Sequence, residues 1–112
     1  MRKAKAEASA AKKEQPDVLL DYAELRKAVL VLRAVNHKLR QRMIDLLESN
    51  GSMTVTEIYV KMRLEQSVAS QHLAILRRAG VVQTDRSGKF IHYSINRQRL
   101  QGISEIVGQL TH

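Results

Sequence analysis

The stretch QSVASQHLAILRRAGVV, Gln66 to Val82, running on through VVQTDRSGKFIHYSI, Val81 to Ile95, decides how this chain is read. In the first segment Val68 or Ala69, Leu73, Leu76 and Ala79 recur at steps of three and four, which predicts one buried stripe on a helix from about Gln66 to Ala79. Gly80 follows in the position where a helix turns left-handed and stops. The opposite face collects Ser67, Ser70, Gln71, Ala74, Arg77 and Arg78, and is small, polar and cationic. The second segment, rich in β-branched and aromatic residues, predicts two strands, Val81 to Arg86 and Lys89 to Ile95, pairing antiparallel about Ser87-Gly88. Ile91, Tyr93 and Ile95 alternate with Phe90, His92 and Ser94, while Arg86 and Lys89 flank the tip. A short basic helix leading into a cationic hairpin is how a winged helix presents one helix to a DNA groove and one ribbon to the backbone beside it.

The elements on either side fit this core. Thr54 or Ser52 opens a helix through Met62 with Val55, Ile58 and Tyr59 on its apolar side, and a tight turn then leads into the Gln66 helix. Two short helices joined in this way make a helix-turn-helix. Asn36 is placed to cap an earlier helix, with Leu39, Met43, Ile44, Leu46 and Leu47 inward, Arg40, Arg42 and Glu48 outward, and the turn pair Asn50-Gly51 at its end. His37 falls in its first turn. Pro16 and Asp17 predict the start of a first helix reaching about Ala34, along which Leu19, Tyr22, Leu25, Val29 and Leu32 recur at helical spacing. Val18, Leu20, Leu30 and Val31 add more apolar surface than a helix on a small monomer needs, so part of it is expected to meet another subunit. Asn96 caps a last helix whose Leu100, Ile103, Ile106, Val107 and Leu110 share one face with no later element to cover it. The fold class is therefore mainly α with a small β-hairpin, a winged helix-turn-helix over residues 16–112. Its expected dimer contacts are Leu20, Leu25, Val29, Leu100, Ile103, Ile106, Val107 and Leu110.

Composition narrows the partners. The 112 residues hold one domain with a formal net charge of +8 and a pI near 10.2, an excess that favours a polyanion, because each neutralised phosphate releases counterions. Residues 61–99 carry eight Lys and Arg against two acids, so the basicity sits on the motif. Residues 1–15, rich in Ala, Lys and Glu without a large apolar side chain after Met1, are expected to form a disordered basic tail. With no cysteine, the chain has no disulfide, thiolate metal site or thiol switch, which fits a reducing compartment. No apolar run suggests a membrane span or secretory signal, and a cytoplasmic location is expected.

The residues expected to meet DNA are Gln66, Ser67, Ser70, Gln71, His72, Arg77 and Arg78 on the helix, with Arg86 and Lys89 on the hairpin. Small side chains let a helix approach base edges, Gln71 can pair bidentately with adenine, and arginines can reach guanine or phosphate. His72, beside the core stripe, reads as a packing or phosphate-contacting residue, and His92 as a side chain of the hairpin. No histidine is at metal-ligand spacing with another, so no metal or other cofactor is expected. Nor is there a nucleophile with a base and orienter, a glycine-rich phosphate loop or a paired-carboxylate motif, which argues against an enzyme.

The order of elements and the string QSVASQHLAILRRAGVV resemble the arsenic-repressor-like (ArsR) family of bacterial winged-helix transcription regulators over about residues 20–110. NHKLRQRMIDLLES is similar to that family's second helix, as are Ser67, Ser70, Gln71, His72 and Leu73 to its recognition helix. Leu76, Ala79, Gly80, Val81 and Val82 match its exit, and Arg86, Gly88 and Tyr93 its wing. The resemblance implies a homodimer joined through its first and last helices, repressing at a pseudo-palindromic operator until an inducer lowers its affinity. Members that sense soft metals carry cysteines where this chain has Glu57, Ile58, Tyr59 and Val60. Members that sense zinc-like ions pair Asp and His across the last helices, where this chain offers Glu105 and His112. Glu65 stands where the family often has a capping Ser. The expectation is a sequence-specific dimeric repressor that senses neither thiols nor metals, released by a small molecule or partner. Two further readings stay open: a basic module docking an acidic protein, and a nonspecific nucleoid or RNA-binding protein.

Overall fold

A computed structural model describes residues 21–110 of the chain, apart from the side chains of Ile106, Val107, Gln109 and Leu110. The expected tail and Leu20 lie outside the described residues. The elements run α1 (Tyr22–Val35), α2 (Lys38–Asn50), β1 (Met53–Thr54), α3 (Val55–Met62), α4 (Gln66–Arg78), β2 (Val82–Ser87), β3 (Phe90–Ile95) and α5 (Arg97–Leu110). The strands form one antiparallel sheet in the order β1-β3-β2.

Capping chemistry sets most of the boundaries. Asp21 is extended, and its carboxylate accepts the Ala23 N–H at 3.1 Å, so α1 begins at Tyr22, while the start expected at Pro16-Asp17 lies outside the described residues. Asn36 ends α1 instead of opening α2. The cap of α2 is His37, whose Nδ1 accepts the Leu39 N–H at 3.1 Å as an Asn side-chain oxygen would. Gly51, at φ 85°, closes α2 with its N–H on the Leu47 carbonyl. Thr54 and Glu57 form a reciprocal capping box at α3, at 3.2 and 2.9 Å, a pairing announced by the T-x-x-E spacing. Asn96 caps α5 by accepting the Arg99 N–H at 3.2 Å, while its own N–H donates to the Val81 carbonyl at 2.9 Å. That pair of bonds ties the base of the hairpin to α5.

Two helices end in the same six-residue turn with different residues at its left-handed position. After α4, Val81 N–H reaches the Leu76 carbonyl and Gly80 N–H the Arg77 carbonyl, with Gly80 at φ 80°. After α3, Leu64 N–H reaches Tyr59 and Arg63 N–H reaches Val60, and here the residue at φ 57° is Arg63. In the hairpin Ser87 pairs with Phe90, so the connecting residues are Gly88 and Lys89, one step beyond the expected pair, with Gly88 at φ 64°. Strand β1, which pairs Met53 with Tyr93 and Thr54 with His92, is too short to leave a periodic signal.

The core gathers Met43 and Leu47 of α2, Ile58 and Met62 of α3, Ala69, Leu73 and Leu76 of α4, and Val81, Val82 and Ile95 at the hairpin base. From α1 it takes Ala28, Val31 and Ala34, not the stripe through Tyr22, Val29 and Leu32. Two alanines let α1 lie close against its neighbours, and the bulkier residues are left facing outward, with Tyr22 77%, Val29 39% and Leu32 46% exposed. Ile103 of α5 is only 8% exposed and belongs to the same core.

A left-handed backbone costs about 1 to 2 kcal/mol at a residue with a Cβ. At Gly80 that Cβ would also sit 2.6 Å from Arg99 Nε. We expect Gly80→Ala to lower stability by about 1 kcal/mol or more, and Arg63→Gly to raise it by about 0.5 kcal/mol after the extra chain entropy of glycine is deducted, both read from urea midpoints at unchanged slope.

Candidate nucleic-acid interface

The presentation of α4 follows from its buried stripe. Ala69, Leu73 and Leu76 are fully excluded from solvent, and on a helix this fixes where every other side chain points. Gln66, Ser67, Ser70, Gln71, Ala74, Arg77 and Arg78 are all exposed, as their spacing predicts. The face offers hydroxyl, carboxamide and guanidinium donors without an aromatic or large apolar side chain among them. At the helix start Glu65 makes no side-chain cap, so the first-turn N–H groups of α4 have no capping side chain, beside a carboxylate that opposes phosphate approach.

Arg86 lies on β2 opposite Ile91, and Lys89 stands in the turn with Nζ 6.0 Å from the centre of the Phe90 ring. Both are exposed, as are Phe90 and Ile91 beside them. The hairpin tip is therefore cationic and partly apolar. Since α4 passes through Gly80 and Val81 directly into β2, helix face and hairpin are joined without an intervening loop.

His72 is placed apart from this face. It is half-buried, and its Nδ1 lies 3.1 Å from Nη1 of Arg40, whose Nε donates to the Ala34 carbonyl at 2.6 Å. A guanidinium can only donate, so His72 accepts through Nδ1 and is neutral in this arrangement. The His37 ring packs against it with centroids 4.7 Å apart. Arg40 is thus not the outward residue that its helical position suggests. It bridges the end of α1 to α4, and His37, Arg40 and His72 form a polar joint between three helices that sequence spacing did not reveal. Burial, then the neighbouring His37 and Arg40 charges, lower the pKa of His72 below 6.5.

Among the described residues, the expected dimer contacts divide. Val29 is exposed on α1, Leu25 is half-buried there, Leu100 packs partly against the core, and Ile103 lies within it. Ile106, Val107 and Leu110 continue along α5 with side chains outside the described set.

A helix-turn-helix followed by a hairpin, with a cationic exposed face on its second helix, defines a winged helix-turn-helix DNA-binding protein. Residues 37–84 match the model of the arsR family of bacterial regulatory proteins. The chain is 30% identical over 94 residues to the transcriptional repressor PagR of Bacillus anthracis, covering 84% of this chain and 94% of that one. It is 32% identical over 84 residues to the transcriptional activator HlyU of Vibrio cholerae, covering 75% and 77%. The crystal structure of PagR superimposes with a TM-score of 0.67 at 31% identity, over 78% of this chain and 99% of PagR. A homodimeric winged helix-turn-helix DNA-binding domain of Mycobacterium bovis, 23% identical, shares the fold with a TM-score of 0.67 over 87% and 88% of the two chains. The chain belongs to the arsR family of bacterial regulatory proteins, and is a DNA-binding transcriptional regulator.

Because the folded pKa of His72 is depressed, the native state binds fewer protons than the unfolded chain below about 6.5, and stability must fall as pH drops through that region. We expect urea midpoints to decline between about pH 6.5 and 5, and His72→Ala to make that decline shallower.

Proposed function

We propose that the protein is a homodimeric repressor that reads a pseudo-palindromic operator in double-stranded DNA. The observation that carries this reading is the outer face of α4, where Gln66, Ser67, Ser70, Gln71, Arg77 and Arg78 are exposed together opposite a stripe with no solvent access. Ser67 and Ser70 leave room for close approach, Gln71 pairs with an adenine edge, and Arg77 and Arg78 take guanine or phosphate. Arg86 and Lys89 hold the hairpin on the backbone and contribute affinity without base choice. His72 contributes by fixing the helix. Repression is favoured over activation by the length of the match to PagR, 94% of that repressor, and acts by occupying the duplex.

Dimerisation is supported by apolar side chains that α1 leaves uncovered, Val29 at 39% and Leu32 at 46% exposed. Helix α5 packs against α1. A twofold dimer places two copies of α4 on successive major-groove faces, so the site it reads repeats with the symmetry of the protein. With no cysteine in the chain, thiol and thiolate-metal sensing are outside its chemistry. Its release is by a small molecule or partner, and it acts in the cytoplasm without a cofactor.

Selection of bound duplexes from a random pool tests the whole reading, and a palindromic consensus is the expected result. Against that consensus Gln71→Ala and Arg77→Ala should each lose about 1 to 3 kcal/mol while random DNA loses less; equal losses on both would restrict the face to phosphate contact. Val29→Glu should convert the dimer to a monomer by sedimentation and abolish operator binding, whereas a wild type that is monomeric at micromolar concentration would remove the dimer from the proposal.

A further inference from the structure

A cleft of about 410 Å³ opens where the end of α1, the start of α2 and the C-terminal half of α4 meet. Its floor is apolar, made by Leu30, Ala34, Ile75 and Ala79. Three arginines, Arg33, Arg40 and Arg78, complete the lining, and no acidic residue does. Among the described residues, Arg33 and Arg78 have no side-chain hydrogen bond or ion pair. Arg40 is anchored by the Ala34 carbonyl and His72, which leaves further donors of its five uncommitted. Like charges placed together without a counterion repel, and an anion there would relieve all three at once. The DNA backbone does not account for the cleft by itself, since phosphate gains nothing from an apolar floor.

We propose that this cleft is an effector site for a small amphipathic anion, a single carboxylate or phosphate head on an apolar body. Its volume lies in the usual range for small-molecule sites, about 300 to 1,000 Å³. The apolar body rests on Leu30, Ala34, Ile75 and Ala79, and the head is held by Arg33 and Arg78 against the fixed charge of Arg40. Arg78 also belongs to the outer face of α4, so the ligand and a DNA phosphate draw on one guanidinium, and a bound anion adds negative charge beside the duplex. Occupancy of the cleft therefore weakens DNA binding. This regulatory step rests on the DNA-reading function proposed above, whereas the site itself does not.

Calorimetric titration of the full chain with decanoate and with decyl phosphate, both below their aggregation concentrations, tests the site. Inorganic phosphate presents the head alone, and decanol the body alone. Binding of either amphiphile at one per chain, with none by phosphate or decanol, supports the site, and the better of the two identifies its head group. On the selected duplex at constant ionic strength, saturating amphiphile should lower affinity about tenfold in fluorescence anisotropy. Arg33→Gln, an exposed change outside the α4 face, should weaken the amphiphile by about tenfold or more and leave duplex affinity within about twofold. No heat with either amphiphile, or equal heat with Arg33→Gln, overturns the site; binding that leaves duplex affinity unchanged overturns the coupling. If the chain binds no duplex at all, the DNA reading falls while the titrations still decide the cleft.

Discussion

Helix α4 can do its work only because one side of it is committed entirely to the interior. Ala69, Leu73 and Leu76 have no solvent access, and a rotation of the helix by a single residue step would bring Ser70 or Arg77 toward the core in their place. Burying an unpaired guanidinium costs several kcal/mol, so such a rotation is heavily disfavoured. The outward direction of the polar face is thus enforced from below, by packing, and the residues on it are free to be chosen for what they touch. Gly80 supports the same constraint at the other end. By taking a left-handed backbone it lets Val81 and Val82 enter the core directly behind Leu76, and the hairpin leaves α4 in a fixed direction.

A second, polar constraint acts on the helix from α2. His72 accepts from Arg40, Arg40 donates to the end of α1, and the His37 ring lies against His72. Hydrophobic packing is tolerant of small slides, whereas hydrogen bonds near 3 Å are not, so this joint sets the register of α4 along its axis. It also makes the setting dependent on proton concentration, since a protonated His72 can no longer accept from a guanidinium.

What could be read from the sequence was whatever one residue or one strong period announces. The Asn50-Gly51 and Gly80 stops, the Asn96 cap and the two faces of α4 are of this kind, because glycine at positive φ and an i, i+3, i+4 stripe have few alternative meanings. The errors arose where two residues compete for one role. Asn36 and His37 can each cap a helix, and a histidine ring nitrogen is the less familiar acceptor. On α1 the larger residues outweighed Ala28 and Ala34 in the hydrophobic pattern, although close helix packing selects the small ones. Periodicity places Arg40 outward, and it cannot see that the head group reaches a carbonyl six residues earlier and a histidine thirty-two residues later. Among the proposed DNA contacts, the exposed ones on α4 and the hairpin were legible as a charge pattern, whereas the inward setting of His72 depends on tertiary neighbours.

The position of α1 links its outer face to α4. One face of this helix carries Ala28, Val31 and Ala34 into the core, where α1 touches α2, α4 and α5, and the adjoining face carries the exposed Val29 and Leu32. A subunit docked on the outer face is therefore one helix away from α4. A shift of α1 relative to α4 would alter the Ala34 end of the Arg40 bridge and the walls of the Arg33–Arg78 cleft together, because Ala34 belongs to both. In the homodimer proposed above, coupling between dimer geometry and α4 would need no long pathway, only a helix with two faces and a ligand that prefers one of its settings. Charge and apolar contact, the two means by which a ligand could express such a preference, meet at the junction of α1 and α4.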